Sequence, residues 1–303
     1  MQQLDTDNIK TIREALLWAS RFLQNAGSQD SPFEAELLLR HVLGWSRSTF
    51  LANLPDPISK EAVQRLKLLC ERRATREPLQ YILGKQEFFG RDFVVKPGVL
   101  IPRPETEILI EQVLQSADQL WPARQSLDVA DIGTGSGAIC LTLACERPDW
   151  QVTTVELSAE AIEIARQNAR ELGVGERVVF LQGDLAGPLV AAGRRLDILV
   201  SNPPYIPSAD VQGLDREVRD YEPLLALDGG DDGLDCYRRI CAALPALLKP
   251  VALVAFEVGI DQARSVAKLM RSGGEIDEVK IVPDLAGISR VVLGCRRRIA
   301  NLL

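Results

Sequence analysis

Histidine is almost missing from this chain of 303 residues, with His41 its single copy. Ser-His-Asp catalysis and zinc centres built on imidazole therefore lose their usual ingredient, and no metal site is expected. His41 follows the helical stretch "FEAELLLR" and reads as a surface or interface side chain. Cysteine occurs six times, at positions 70, 140, 145, 236, 241 and 295, but never at CxxC spacing. Free, buried thiols are the expectation. No apolar run is long enough to span a bilayer. The opening "MQQLDTDNIKTIREALL" has no basic segment leading into an apolar stretch, so neither a signal nor a transit peptide is expected and a cytoplasmic location is. Internal repeats and low-complexity tracts are missing too.

Positive charge is also in short supply. Thirty-five Lys and Arg face 42 Asp and Glu, a net −7, which argues against affinity gained by wrapping a long phosphate backbone. Residues 1–110 are nearly balanced, so the negative charge falls after them. The densest basic patch, "CERRATREP" over 70–78, reads as a solvated helix face, although Arg72, Arg73 and Arg76 could serve as a local nucleic-acid contact.

What is present is a globular composition, 46% hydrophobic and 25% charged, in a chain long enough for one large domain or two ordinary ones. From Asn8 to about Arg76 the pattern is helical, with Ile9, Ile12, Leu16, Leu17 and Leu23, then Phe33, Leu37, Leu38 and Val42, at helical spacing. Ser31 is expected to cap the second helix with Pro32 in its first turn, and Ser59 to cap a later one. Residues 1–78 thus read as a helical bundle. In 79–104, "YILGKQEFFGRDFVV" reads as two short strands around Gly84 and Gly90, a hairpin linker. Prolines 97, 102 and 104 delay the next helix until about Glu105. Residues 105–303 then alternate strand and helix, with continuous apolar strands such as "LDILVSN", which means a mostly parallel sheet covered on both faces.

The chemistry gathers at strand ends. "DIGTGSGAI" (131–139) lies between a predicted strand and helix, where Gly133, Gly135 and Gly137 let the backbone approach a nucleotide-like cofactor. A tight turn with no ligand would use the same glycines. Glu156 ends the next strand, where doubly wound folds place an acid that takes both hydroxyls of a ribose. Asp184, after the third strand, stands where an adenine edge would fall, or is a plain turn residue. "NPPY" (202–205) ends the fourth. Pro203 and Pro204 fix φ and remove two donors, so a strand closes on a stiff loop whose carbonyls meet no competition from sheet pairing. Asn202 and the Pro203 carbonyl offer two acceptors, and Tyr205 a flat face, which suits a planar –NH2 group. Two acceptors can draw such a nitrogen toward tetrahedral and aim its lone pair at an electrophile. A sulfonium methyl group, as in S-adenosylmethionine, fits without a strong general base.

With "SNPPYI", "EPLQYILGKQEFFGRDFVVKPGVLIPRPETE", "EPLLALDGGDDGLDCYRRI" and "DLAGISRVV" standing in order, the chain resembles the release-factor glutamine methyltransferases, the HemK or PrmC family. The resemblance covers nearly its whole length. It implies a Rossmann-like methyltransferase domain, with a seven-stranded, mostly parallel sheet and an antiparallel last strand, behind an N-terminal helical-bundle domain that recognises substrate. It implies that Gly133, Thr134, Gly135, Ser136, Gly137, Glu156, Asp184, Leu185 and Asn202 hold S-adenosylmethionine, with S-adenosylhomocysteine as product. It places Asn202, Pro203, Pro204 and Tyr205 on the glutamine amide of a Gly-Gly-Gln loop in a peptide chain release factor, and it favours a monomer. Two positions depart from the family: it often has Asp in place of Glu156, and an aromatic residue in place of Leu185. Arg103 and Glu105 stand in the entry segment as candidate cleft residues, with helix capping the alternative for Glu105. An adenine amino-group methyltransferase acting on DNA or RNA, and a cofactor-binding scaffold without catalysis, remain the competing functions. A dehydrogenase is weaker, because the G-x-G-x-G spacing is not that of dinucleotide sites.

Overall fold

The computed structural model describes residues 8–123 and 126–297, in two compact units. The first seven residues, part of the stretch from which the lack of a leader was read, lie outside the described residues.

The first unit comprises the chain up to Gly84 together with a later segment, 216–221. It holds α1 (Ile12–Asn25), α2 (Ser31–Leu43), α3 (Arg47–Ala52), α4 (Lys60–Ala74) and α5 (Leu79–Leu83). Thr11 and Glu14 form a reciprocal capping box at the start of α1, and Ser59 caps α4 by accepting from the Ala62 amide at 3.1 Å. Ser31 is not the cap expected of it: Asp30 takes that position, and Ser31 is buried inside the first turn. Ile12, Leu38, Leu39, Phe50 and Leu66 form the core, whereas Leu17, assigned to the same apolar face, points to solvent. The stretch "YIL" is also helix, not strand. Burial of Leu79 and Ile82 against this core overrides their strand propensity, and Gly84 ends the helix at φ 76°.

The basic patch departs from expectation as well. Arg73 is buried, donating to Glu34 at 2.7 Å and to Glu217 at 2.6 Å, while Arg72 pairs with Glu77 and Arg76 donates to the Gly27 carbonyl. Glu217 lies on the one-turn helix α10 (Arg216–Arg219), and Tyr221 beside it bonds the Thr75 hydroxyl at 2.7 Å.

The second unit, 85–215 and 222–303, opens with the hairpin β1 (Lys85–Phe88) and β2 (Arg91–Val94), turned at Phe89 and Gly90, both with positive φ. Phe88 and Phe93 meet edge to face at 5.9 Å inside this unit's core. The hairpin is therefore part of the second unit, and Phe88 and Phe93 belong to its core. There follow α6 (Pro104–Leu120), β3 (Asp128–Ile132), α7 (Ala138–Glu146), β4 (Gln151–Glu156), α8 (Ala159–Glu171), β5 (Val178–Gln182), α9 (Gly187–Ala191), β6 (Leu196–Ser201), α11 (Asp235–Leu247), β7 (Leu248–Glu257), α12 (Ala263–Ser272), β8 (Glu278–Pro283) and β9 (Ser289–Arg297).

The seven strands β3 to β9 are ordered β5-β4-β3-β6-β7-β9-β8, with β9 antiparallel to both neighbours. This is the sheet that the resemblance implies. Buried runs such as Ile198–Leu199–Val200 in β6 are covered on both faces, as parallel strands require. The order reverses between β3 and β6, so the chain leaves these two strands in opposite directions and opens a crevice at their carboxyl ends. All six cysteines are free. Cys70, Cys140 and Cys241 are buried as expected, but Cys145, Cys236 and Cys295 are only half-buried. No helix among the described residues is long and apolar enough to cross a membrane.

Candidate active site

The crevice is a cavity of about 830 Å3, a size typical of small-molecule sites. One wall is the loop after β3. Ile132 pairs in register with Val155 on one side and Ser201 on the other, so the loops after β3, β4 and β6 leave the sheet side by side. Gly133 (φ 82°) donates its N–H to the Val155 carbonyl at 2.9 Å, and Gly135 (φ 55°) has open space where a Cβ would stand. Gly137 does not line the cavity; a Cβ there would lie 2.7 Å from Leu141, so its lack of a side chain lets α7 start tightly. Gly133, Thr134, Gly135 and Ser136 do line it. Beneath the loop Asp131 is fully buried, and burial pushes its carboxyl up to about 7.

Glu156 faces this loop from the end of β4. Its carboxylate accepts from the Gly135 amide and the Ser158 amide, each at 2.9 Å, and lines the cavity with lone pairs left for further donors. Asp184 and Leu185 form the next stretch of wall; Asp184 is ion-paired with Arg239, and Leu185 holds the left-handed conformation at φ 46°, uncommon for a side chain of its kind. Arg103 lines the cavity and pairs with the buried Glu222, which also accepts from the Ile101 amide at 3.2 Å; Glu105 does not line it.

From the loop after β6, Asn202 and Pro204 reach the cavity, while Pro203 is buried and Tyr205 is half-buried beside it. Tyr205, expected to supply a flat face beside the two acceptors, is thus half-buried next to the cavity. Its ring packs with the core under β7, and burial drives its hydroxyl up to about 12. The main chain here is clasped by three glycines. A Cβ at Gly229 would lie 2.7 Å from the Pro204 carbonyl, one at Gly233 only 2.2 Å from the Tyr205 carbonyl, and one at Gly259 2.9 Å from the Tyr205 ring. Gln262 closes the clasp, donating to the Tyr205 carbonyl at 2.8 Å.

Two residues of the site had escaped sequence reasoning. Asn202 donates through Nδ2 to the Thr106 hydroxyl at 3.3 Å, and Thr106 in turn donates to Glu257 at 2.6 Å. Glu257 ends β7 and is almost wholly buried. The "PETE" and "FEVG" stretches contain these residues, but nothing in their spacing ties them to Asn202.

The residues present fit a nucleoside-like cofactor: an open glycine loop at a helix start, a carboxylate on the cavity wall with lone pairs left to accept from hydroxyls, and polar side chains beyond it. Comparison with known proteins agrees. The family description "PrmC N-terminal domain" matches residues 14–84 and "Methyltransferase small domain" matches 105–214. A release factor glutamine methyltransferase of Bacillus subtilis is 42% identical over 284 residues, 94% of this chain and 97% of its own length. The protein of that name from Geobacter sulfurreducens is 45% identical over 286 residues, 94% and 97% respectively. A methyltransferase structure from Pyrococcus furiosus superposes with a TM-score of 0.50 over 69% of this chain and 90% of its own, at 17% identity, a likeness of fold alone. With the fold, the cavity and near-full-length identity in agreement, the chain belongs to the release factor glutamine methyltransferase family.

Proposed function

We propose that this protein transfers the methyl group of S-adenosylmethionine to the side-chain amide nitrogen of the glutamine in the Gly-Gly-Gln loop of peptide chain release factors. The observation that carries the reading is the orientation of Asn202. Its Nδ2 is engaged by Thr106, which leaves Oδ1 as the acceptor of a side chain that lines the cavity together with the glycine loop. The family relatives carry the same substrate in their names.

In this reading the loop 133–136 and Glu156 hold the cofactor, Glu156 taking the ribose hydroxyls, with Asp184 and Leu185 toward the adenine, and Gly137 serves only to start α7 tightly behind them. Bound there, S-adenosylmethionine supplies a sulfonium methyl group as electrophile. Asn202 Oδ1 and the carbonyl of the peptide that joins Pro203 to the cavity-lining Pro204 accept the two hydrogens of the glutamine amide and turn its lone pair toward that methyl. The glycine clasp on Pro204 and Tyr205 keeps the acceptors from moving as the nitrogen gains positive charge, so their contribution is greatest in the transition state. The proton leaves after transfer, and no histidine is needed.

Residues 1–78 serve as the recognition domain for the release factor, 79–104 as the entry segment and 105–303 as the catalytic domain, in a cytoplasmic monomer that holds no nucleic acid stably. The engagement of Arg72, Arg73 and Arg76 with acidic and carbonyl partners supports this over adenine methylation, since little of that patch is left for phosphate. The test is transfer of labelled methyl to a release factor, to the same factor with its Gly-Gly-Gln glutamine changed to alanine, and to duplex or structured nucleic acid. Label on the unaltered factor alone supports the reading. Label on nucleic acid alone replaces it with adenine methylation, and cofactor binding without any transfer replaces it with a scaffold.

A further inference from the structure

Glu257, Thr106 and Asn202 form a polar chain that runs from the buried core to the cavity wall. Thr106 comes from the first turn of α6, where its amide donates to the Arg103 carbonyl at 3.0 Å. Glu257 comes from the end of β7. Ser201 pairs with Phe256 across β6 and β7, so the next residues along the chain, Asn202 just past β6 and Glu257 at the end of β7, lie side by side. Tyr237 pins the strand end by donating its hydroxyl to the Glu257 carbonyl at 2.7 Å. Glu257 and Thr106 are 2% and 4% exposed, so water does not compete for these bonds.

We propose that Glu257 is a positioning residue which, acting through the Thr106 hydroxyl, decides which end of the Asn202 amide faces the substrate. An ionised carboxylate has no proton and can only accept. The single hydrogen of Thr106 is therefore committed to Glu257, and the Thr106 oxygen offers Asn202 only lone pairs. Only the –NH2 end of Asn202 answers those lone pairs, and its carbonyl end is left for the cavity. Direction is imposed at the buried end and read out at the exposed one. A protonated Glu257 breaks the rule: it becomes a donor to the Thr106 oxygen, frees the Thr106 hydrogen for Asn202 Oδ1, and lets the amide turn its donor end toward a substrate that also presents donors. That turned state repels an amide nitrogen.

The charge on Glu257 is set by several elements. Burial raises its carboxyl most, to about 7; the Thr106 bond lowers it, Glu105 on the first turn of α6 raises it, Arg290 on β9 lowers it, and the Asn202 side-chain amide, itself within reach of the carboxylate as a donor, lowers it further and favours the same orientation. Tyr205 and Tyr237 also face it, both as neutral phenols whose hydroxyls are held up by burial. Because the carboxyl titrates near neutrality, the relay is intact above about pH 7 and fails below it, and transfer falls as pH drops through that value.

This inference rests on the proposed glutamine transfer, and one experiment separates the two. Turnover on a release factor is measured from pH 6 to 9 for wild type, Glu257→Gln, Thr106→Ser and Thr106→Val, with cofactor affinity measured alongside. Glutamine offers both an acceptor and a donor end, so Glu257→Gln no longer enforces direction; kcat is expected to fall by about tenfold and the acid limb to disappear. Thr106→Val deletes the relay, with an expected loss of about a hundredfold in kcat. Thr106→Ser keeps the hydroxyl and stays within about threefold of wild type, and cofactor affinity changes by less than about threefold throughout. A Glu257→Gln enzyme with wild-type turnover and an unchanged acid limb overturns the relay, as does a Thr106→Ser enzyme no better than Thr106→Val. If Glu257→Gln does not fold, the two Thr106 variants and the wild-type acid limb decide alone. Wild-type protein that leaves the release factor unlabelled sinks the functional reading, and the relay with it.

Discussion

Gly135 and Glu156, 21 residues apart in sequence, are joined by a hydrogen bond of 2.9 Å from the glycine amide to the carboxylate. The same side chain thus shapes the glycine loop and presents an oxygen to the cavity. Glu156→Ala removes both effects. S-adenosylmethionine affinity is expected to fall by roughly 2 kcal/mol, about 30-fold, as for loss of a charged hydrogen-bonding group. Titration calorimetry measures it, and an affinity within threefold of wild type would remove Glu156 from the cofactor site.

Asn202→Ala separates chemistry from cofactor binding. Turnover is expected to fall by about 100-fold or more, as when one preorganised group of a reacting centre is deleted, while cofactor affinity changes little. Near-normal turnover on a release factor would end the two-acceptor mechanism.

The glycine clasp gives a steric prediction. Gly233 sits at φ 73°, and an added Cβ would lie 2.2 Å from the Tyr205 carbonyl, a backbone atom that cannot step aside. Gly233→Ala is expected to cost about 2 kcal/mol or more in stability and to lower kcat more than cofactor affinity. Thermal unfolding and steady-state kinetics on the purified variant test both parts.

Asp131 predicts a pH dependence of stability. Its folded carboxyl is raised by burial to about 7, above the ordinary 3.8. Between those values the folded state binds more protons than the unfolded one, so this contribution is fully present below about pH 4 and is lost as pH rises through 7. Asp131→Asn should flatten that slope. Urea melts of the two proteins at pH 5 and pH 8 give the comparison, and an equal slope in both would show that Asp131 is not its source.

In the first unit, Arg73→Ala leaves Glu34 and Glu217 without their shared partner. Breaking a buried pair from one side costs about 3 to 5 kcal/mol, and a urea titration should show it. Replacing a solvated helix-face arginine would do almost nothing, so the size of the loss distinguishes the two descriptions of the basic patch.

The parts of the site that were legible are those whose signal is local. "DIGTGSG" and "NPPY" declare themselves because glycines and prolines restrict or free the backbone at the very residues where the ligand approaches, and Glu156 follows from the length of one strand–helix–strand unit. The Thr106 and Glu257 pair was not legible, since the two lie 151 residues apart and each sits in an ordinary helix or strand pattern. Nor was the burial of Arg73: its ion pair with Glu217 spans 144 residues, and a basic run looks the same whether solvated or paired. The helix at Leu79–Leu83 was misread for a related reason, because five residues, four of them apolar or aromatic, are too few to show a period, and burial decided their conformation.

The segment 216–221 makes the two units inseparable by any single cut. The chain crosses between them after Gly84, returns after Asp215 and leaves again after Tyr221. A fragment begun at Lys85 would still carry Glu217 and Tyr221, but without Arg73 and Thr75 to receive them, and this orphaned strap would lie in the chain between the Asn202 loop and the cavity residues Pro223, Leu224 and Leu225. The catalytic unit is therefore not a continuous stretch of gene: trimming or grafting it at the apparent boundary removes the anchorage of a loop more than 130 residues downstream of the cut.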